Sequence, residues 1–230
     1  MIYRLQKIDD LTRKKHRYLA EDDVCYYYGE YTSGEDYSYS ETNQLIKNLK
    51  KNVLTANKNE IQYKYAAISQ IAQLVVRLDK LKDFTFVPTP PSKCATHPEY
   101  DDRMLTILRV VKSVIPVIDF RELITQKDSV TASHTIKNNP RPKPEEVATN
   151  YNFNHNLVSG IRQNIVIFDD VLTEGSHYKA MKTVIKQHLP DIQITGLFVA
   201  RTVRKEKYEI DNSDDDDENF LRDFDHFSHY

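Results

Sequence analysis

An α/β fold, with an open and mostly parallel sheet flanked by helices, is predicted for this chain by three observations. The run Ile165–Phe168 is continuously apolar and passes straight into a pair of aspartates, Asp169 and Asp170. Such a run marks a strand buried on both faces, and so a parallel sheet covered by helices. Strand-like and helix-like segments also alternate from Asp83 to Val199, the order that crossover connections require. Finally, 230 residues with 40% apolar and 29% charged content suffice for one such domain with an appendage.

In chain order, residues 1–40 hold a basic knot, Thr12–Arg17, and then a tyrosine-rich stretch. Tyr26, Tyr27, Tyr28, Tyr31, Tyr37 and Tyr39 alternate with Gly and Ser, which predicts short strands and turns. These rings either pack as a half-buried wall or offer a stacking surface for a base. Ser40 is an N-cap for a helix whose stripe is Leu45, Ile46, Leu49 and Val53. Apolar residues from Ile61 to Leu78 recur at three- and four-residue steps, giving a second helix of about five turns. Residues 1–82 are therefore expected to form a helical appendage, or hood, with a small β element.

A core of residues 83–205 follows. Asp83–Val87 reads as a strand stopped by the prolines of Pro88–Lys93. Arg103–Ile115 reads as a helix ended by Pro116. Val117–Phe120 is a second short strand. Thr125–Asn156 has almost no periodicity and carries Pro140, Pro142 and Pro144. A loop of this length is expected to order over a ligand. The strand Val158–Phe168, a helix Ser176–Leu189 and a strand Ile192–Val199 complete the core. Residues 206–230 are expected to be a flexible acidic tail.

Net charge is −2, which gives no global case for nucleic acid or an anionic membrane. The balance is uneven: residues 1–82 hold fourteen Lys/Arg against eleven Asp/Glu, and residues 205–230 hold three against ten. Cys25 and Cys94 supply neither a disulfide framework nor metal-finger spacing. No apolar run approaches a membrane span and the first residues are charged, so a cytoplasmic protein without membrane attachment is expected.

In parallel sheets ligands bind at the carboxyl ends of the strands. Asp169 and Asp170 sit at that edge, followed by Thr173–His177 at the start of a helix, where free N–H groups favour an anion. Carboxylates beside an anion hole fit a phosphorylated sugar with a metal. Ser92 and Lys93 offer a hydroxyl and an ammonium at the same edge if the two strands are parallel. Other Mg²⁺ chemistry that uses two acids places further acids or a lysine at other strand ends, in patterns not seen here.

Residues 165–177 resemble the phosphoribosyl-pyrophosphate motif of type I phosphoribosyltransferases: four apolar residues, two acids, two apolar residues, Thr, a variable residue and Gly. With Val87–Lys93, Arg103 and the long loop, the pattern is most similar to ComF-like members of that family, over roughly residues 83–203. The cysteine clusters of many such proteins are missing, so no zinc site is implied.

The resemblance implies the following roles. Asp169 and Asp170 would accept hydrogen bonds from ribose hydroxyls, with Mg²⁺ held largely through ligand and water. Thr173, Glu174, Gly175, Ser176 and His177 would wrap the 5′-phosphate. Pro91, Ser92 and Lys93 would form the pyrophosphate loop, and Arg103 would add a second cation. The family usually has Thr or Ser where Glu174 and His177 stand, so Glu174 is expected to turn outward. Two functions follow. One is Mg²⁺-dependent transfer of a phosphoribosyl group from phosphoribosyl pyrophosphate to a nitrogenous base. The other is a non-catalytic nucleotide-binding or regulatory protein working beside DNA-processing partners. A homodimer is compatible with either.

Overall fold

The computed structural model describes residues 3–129 and 142–204. The predicted acidic tail and the middle of the long loop lie outside the described residues. In chain order the elements are β1 (Gln6–Lys7), α1 (Asp10–Arg13), β2 (Val24–Thr32), α2 (Glu41–Leu49), α3 (Lys58–Val76) and β3 (Phe84–Pro88). They continue with α4 (Arg103–Val114), β4 (Asp119–Phe120), β5 (Ile124–Gln126), α5 (Pro144–Thr149), β6 (Tyr151–Phe153), β7 (Asn164–Leu172), α6 (Ser176–His188) and β8 (Gln193–Val203).

Six strands form one sheet in the order β1-β2-β8-β7-β3-β4, and only β1 runs antiparallel to its neighbour. From β3 the chain moves outward through α4 to β4. From β7 it moves the other way through α6 to β8. The boundary between β3 and β7 is therefore a topological switch point, where loops leaving two neighbouring strands diverge and open a crevice.

Both faces of the sheet are covered, as its apolar strands demand. Val166 and Phe168 join one buried cluster with α2, α3 and α4, while Ile165 and Ile167 join another with α6, α5 and β6. The helices begin where capping chemistry allows. Ser40 accepts from the Asn43 N–H at the start of α2, and Asn57 and Glu60 form a reciprocal capping box at the start of α3.

Three differences from the expected elements bear on function. Tyr26, Tyr27, Tyr28 and Tyr31 of the tyrosine-rich stretch lie in one long strand, β2, paired with β8, and Tyr37 and Tyr39 lie in the turns after it, so residues 1–82 contribute to the sheet itself. Tyr27 and Tyr28 are core residues there, with the Tyr28 hydroxyl donating to the Leu74 carbonyl, and only Tyr37 and Tyr39 of the set are exposed. The strand holding the aspartates starts at Asn164 and runs on to Leu172, because its ladder with β8 continues to Arg201. The long aperiodic segment is bounded by an antiparallel pair, β5 with β6, and by α5, whose first residue is a proline. Elements of three to six residues are too short to show a period.

Candidate functional site

Because β7 extends past them, Asp169 and Asp170 lie inside a strand, and alternation sends their side chains to opposite faces. Asp170 faces the helices α2 and α4. Lys50, which caps the C-terminus of α2, places Nζ 3.0 Å from Asp170 Oδ1, and Arg103 Nη1 lies 3.3 Å from Oδ2. Burial opposes ionisation of Asp170, yet these two cations hold its carboxyl below the ordinary range.

Arg103 is itself fixed. Its Nε and Nη2 lie 3.0 and 2.8 Å from Asp101 Oδ2, and its backbone N–H donates to Oδ1. Asp101 in turn accepts from Lys64 at 2.8 Å. Lys64 is buried, and it also donates to the carbonyls of Leu49 and Lys51. One alternating chain of charges thus runs Lys50, Asp170, Arg103, Asp101, Lys64. The resemblance implies Arg103 as a second cation for pyrophosphate. The structure instead pairs it with two carboxylates, since the start of α4 brings Asp101 against it.

Asp169 lies on the other face. Its Oδ1 accepts the Asp170 N–H at 2.8 Å, and it lines a cleft with Thr173, Gly175, Ser176 and His177. Burial, and then the neighbouring charge of Asp170, push its carboxyl up to about 7. A carboxylate that ionises only near neutrality is matched to a partner that donates hydrogen bonds or carries positive charge.

The turn Thr173–His177 is shaped by its backbone. Gly175 has φ +90°, and a Cβ there would meet Leu19 Cδ2 at 3.2 Å, so this position takes glycine on both counts. Ser176 then opens α6 with no side-chain cap on its first turn, leaving N–H groups for an anion. The carbonyls of this turn are held from behind by the N-terminal segment: His16 Nδ1 bonds the Thr173 carbonyl, and the Tyr18 N–H donates to the Glu174 carbonyl at 2.9 Å. Glu174 is not among the residues lining the cleft. His177 Nδ1 meets the Tyr151 hydroxyl at 2.9 Å, which ties the turn to β6.

Just after the adjacent strand β3, Thr89 donates its N–H to the Phe168 carbonyl, and its buried hydroxyl has no partner among the described residues. Pro91, Ser92 and Lys93 follow, all half-buried, in a loop whose Cys94 N–H donates to Ser129 Oγ at the start of the long segment. No hydrogen bond or ion pair joins Lys93 to Asp169, Asp170 or Arg103 among the described residues. Among those residues no cluster of three His, Cys, Asp or Glu is arranged to hold a metal by itself. Among those residues Asp169 Oδ1 has one hydrogen-bond partner, the Asp170 N–H.

Lys50, Tyr151, Lys64 and His16 are the residues that sequence reasoning missed. His16 stood in the basic knot, where its neighbours suggested solvated charge, and Tyr151 stood in the long segment Thr125–Asn156, with no period to mark it. Comparison with protein-family models and with curated proteins gave no match.

Proposed function

We propose that the cleft beside Asp169 and the turn after β7 binds phosphoribosyl pyrophosphate or a nucleotide 5′-phosphate, in a fold of the type I phosphoribosyltransferase kind. One observation carries the reading: Asp169 and the uncapped turn, through Thr173, Gly175, Ser176 and His177, line a single cleft on β7, the strand that borders the switch point. The turn offers backbone N–H groups to the 5′-phosphate. Asp169 accepts a ribose hydroxyl, and Lys93 on the neighbouring loop is a point charge for pyrophosphate. Asp169 would be the carboxylate nearest a Mg²⁺ brought by the ligand, which would supply charge neutralisation for the pyrophosphate.

The reaction this arrangement suits is transfer of the phosphoribosyl group to a nitrogenous base with release of pyrophosphate. Its residues contribute position and charge rather than covalent chemistry. A second reading, a nucleotide-binding regulatory protein without turnover, is favoured by the pairing of Asp170 with Lys50 and Arg103, which leaves one unpaired carboxylate for ribose. As a ComF-like protein it would then work beside DNA-processing partners.

Calorimetry with phosphoribosyl pyrophosphate, ribose 5-phosphate and nucleoside monophosphates, each with Mg²⁺, tests the site. Binding that is lost in Asp169→Asn supports it; no binding by the wild type, or unchanged binding in that variant, refutes it. Scanning bases for pyrophosphate release then separates enzyme from binder.

A further inference from the structure

We infer that Lys50 is a specificity-determining residue of this site, the cation that passes from Asp170 to the second anionic group of a two-phosphate ligand. The inference rests on the sugar-phosphate reading above and adds to it a residue from α2, far from the motif in sequence.

The charge chain is held unequally along its length. Arg103 makes three contacts to Asp101 as well as its contact to Asp170, and its side chain is 21% exposed. Asp101 is braced by Lys64, whose side chain is only 4% exposed. Among the described residues Lys50 has a single side-chain partner, Asp170, and it is 39% exposed. An anion arriving at this edge therefore recruits Lys50 most readily. The ammonium swings on a four-carbon stem and keeps its hydration, whereas moving Arg103 would strip a buried carboxylate of its partner.

The position also has the right sense. Asp170 stands next to Asp169 on β7, but on the face opposite the turn that takes the 5′-phosphate. A cation at Asp170 therefore serves the part of the ligand remote from that phosphate. Arg103 stays behind to keep Asp170 neutralised when Lys50 leaves.

The test is calorimetry on the full chain, wild type, Lys50→Gln and Lys50→Arg, with phosphoribosyl pyrophosphate and with ribose 5-phosphate, both with Mg²⁺. The expected result is an affinity for phosphoribosyl pyrophosphate about tenfold weaker in Lys50→Gln, as for loss of one charge-assisted contact. Affinity for ribose 5-phosphate should change less than about twofold, and Lys50→Arg should recover most of the loss. Equal weakening of both ligands, or of neither, would overturn the inference and leave the site intact. If the wild type bound neither ligand, the proposed function would fall and this inference with it. Thermal melts of the three proteins show whether the variants fold. If Lys50→Gln does not, Lys50→Arg binding phosphoribosyl pyrophosphate more than about tenfold weaker than the wild type overturns the inference.

Discussion

The Tyr151 hydroxyl and His177 Nδ1 lie 2.9 Å apart, joining the strand that returns from the long segment to the turn that opens α6. Tyr151 is buried, and burial, with the charge of Asp169, raises its phenol far above the usual range, so its hydroxyl keeps its proton beside the His177 ring. Tyr151→Phe removes this bond and little else. Stability should fall by about 1 kcal/mol in urea denaturation. Affinity for ribose 5-phosphate should fall several-fold as the turn loses its tether. Binding equal to wild type would show that β6 does not position the turn.

Gly175→Ala tests the turn from its other side. With φ +90° and Leu19 at 3.2 Å from the added methyl, the variant bears backbone strain and a close contact together. A loss of about 1–3 kcal/mol is expected from the conformation alone. Leu19→Ala combined with Gly175→Ala should recover the steric part but not the conformational part. Full recovery by the double variant would show that φ carries no cost here.

These tests mark where sequence was informative. Asp169, Gly175 and Ser176 were legible because a buried strand, two acids and a glycine at the start of a helix form a local pattern. The helices α2, α3 and α4 were legible for a similar reason, since each carries a period of 3.6 over at least nine residues. Lys50, Lys64 and Tyr151 were not legible, because each meets a side chain more than twenty residues away, Asp170, Asp101 and His177. Lys64 sits in a helix otherwise read from its apolar stripe, and a lysine there suggests solvent. Its burial against Leu49, Lys51 and Asp101 depends on how α2, α3 and α4 meet. Even the reading of β2 as short strands failed through pairing, since β8 offers it a nine-residue partner edge.

Lys64 gives the largest stability prediction. Lys64→Met keeps the apolar stem but leaves two buried carbonyls and Asp101 short of a donor. A loss of about 3–5 kcal/mol is expected, as for removal of one partner of a buried pair, and urea midpoints measure it. Because Asp101 also fixes Arg103, ligand affinity in the folded fraction should weaken too. A change under about 1 kcal/mol would mean that Arg103 alone satisfies Asp101.

Asp169 sets a pH dependence. Its folded carboxyl titrates near 7, against about 3.9 when unfolded. The folded state therefore holds the proton more tightly. The resulting stability is fully present below about pH 4 and is lost as pH rises through about 7. Asp169→Asn should stabilise the ligand-free protein at pH 8, by on the order of 2 kcal/mol, and change little at pH 4. Thermal melts at the two pH values check this. Equal effects at both would show that the carboxylate pair does not titrate as the geometry requires.

His16 works in the opposite sense. Burial lowers its pKa, outweighing the Thr173 carbonyl, and Arg201 adds to the lowering. Its neutral ring bonds that carbonyl through Nδ1 while Nε2 is buried without a partner. A depressed folded pKa means that the unfolded chain takes up the proton first. The contribution of His16 is complete above about pH 6.5 and is lost as pH falls through the lower folded value. His16→Asn keeps a donor near the Nδ1 position and removes the titration. The wild type should lose about 1 kcal/mol more than the variant between pH 7.5 and pH 5 in urea denaturation. The two should bind ribose 5-phosphate comparably at pH 7.5, where the ring is neutral. Parallel pH profiles would show that His16 takes up its proton in the folded state, leaving the Thr173 carbonyl as the acceptor of a charged ring.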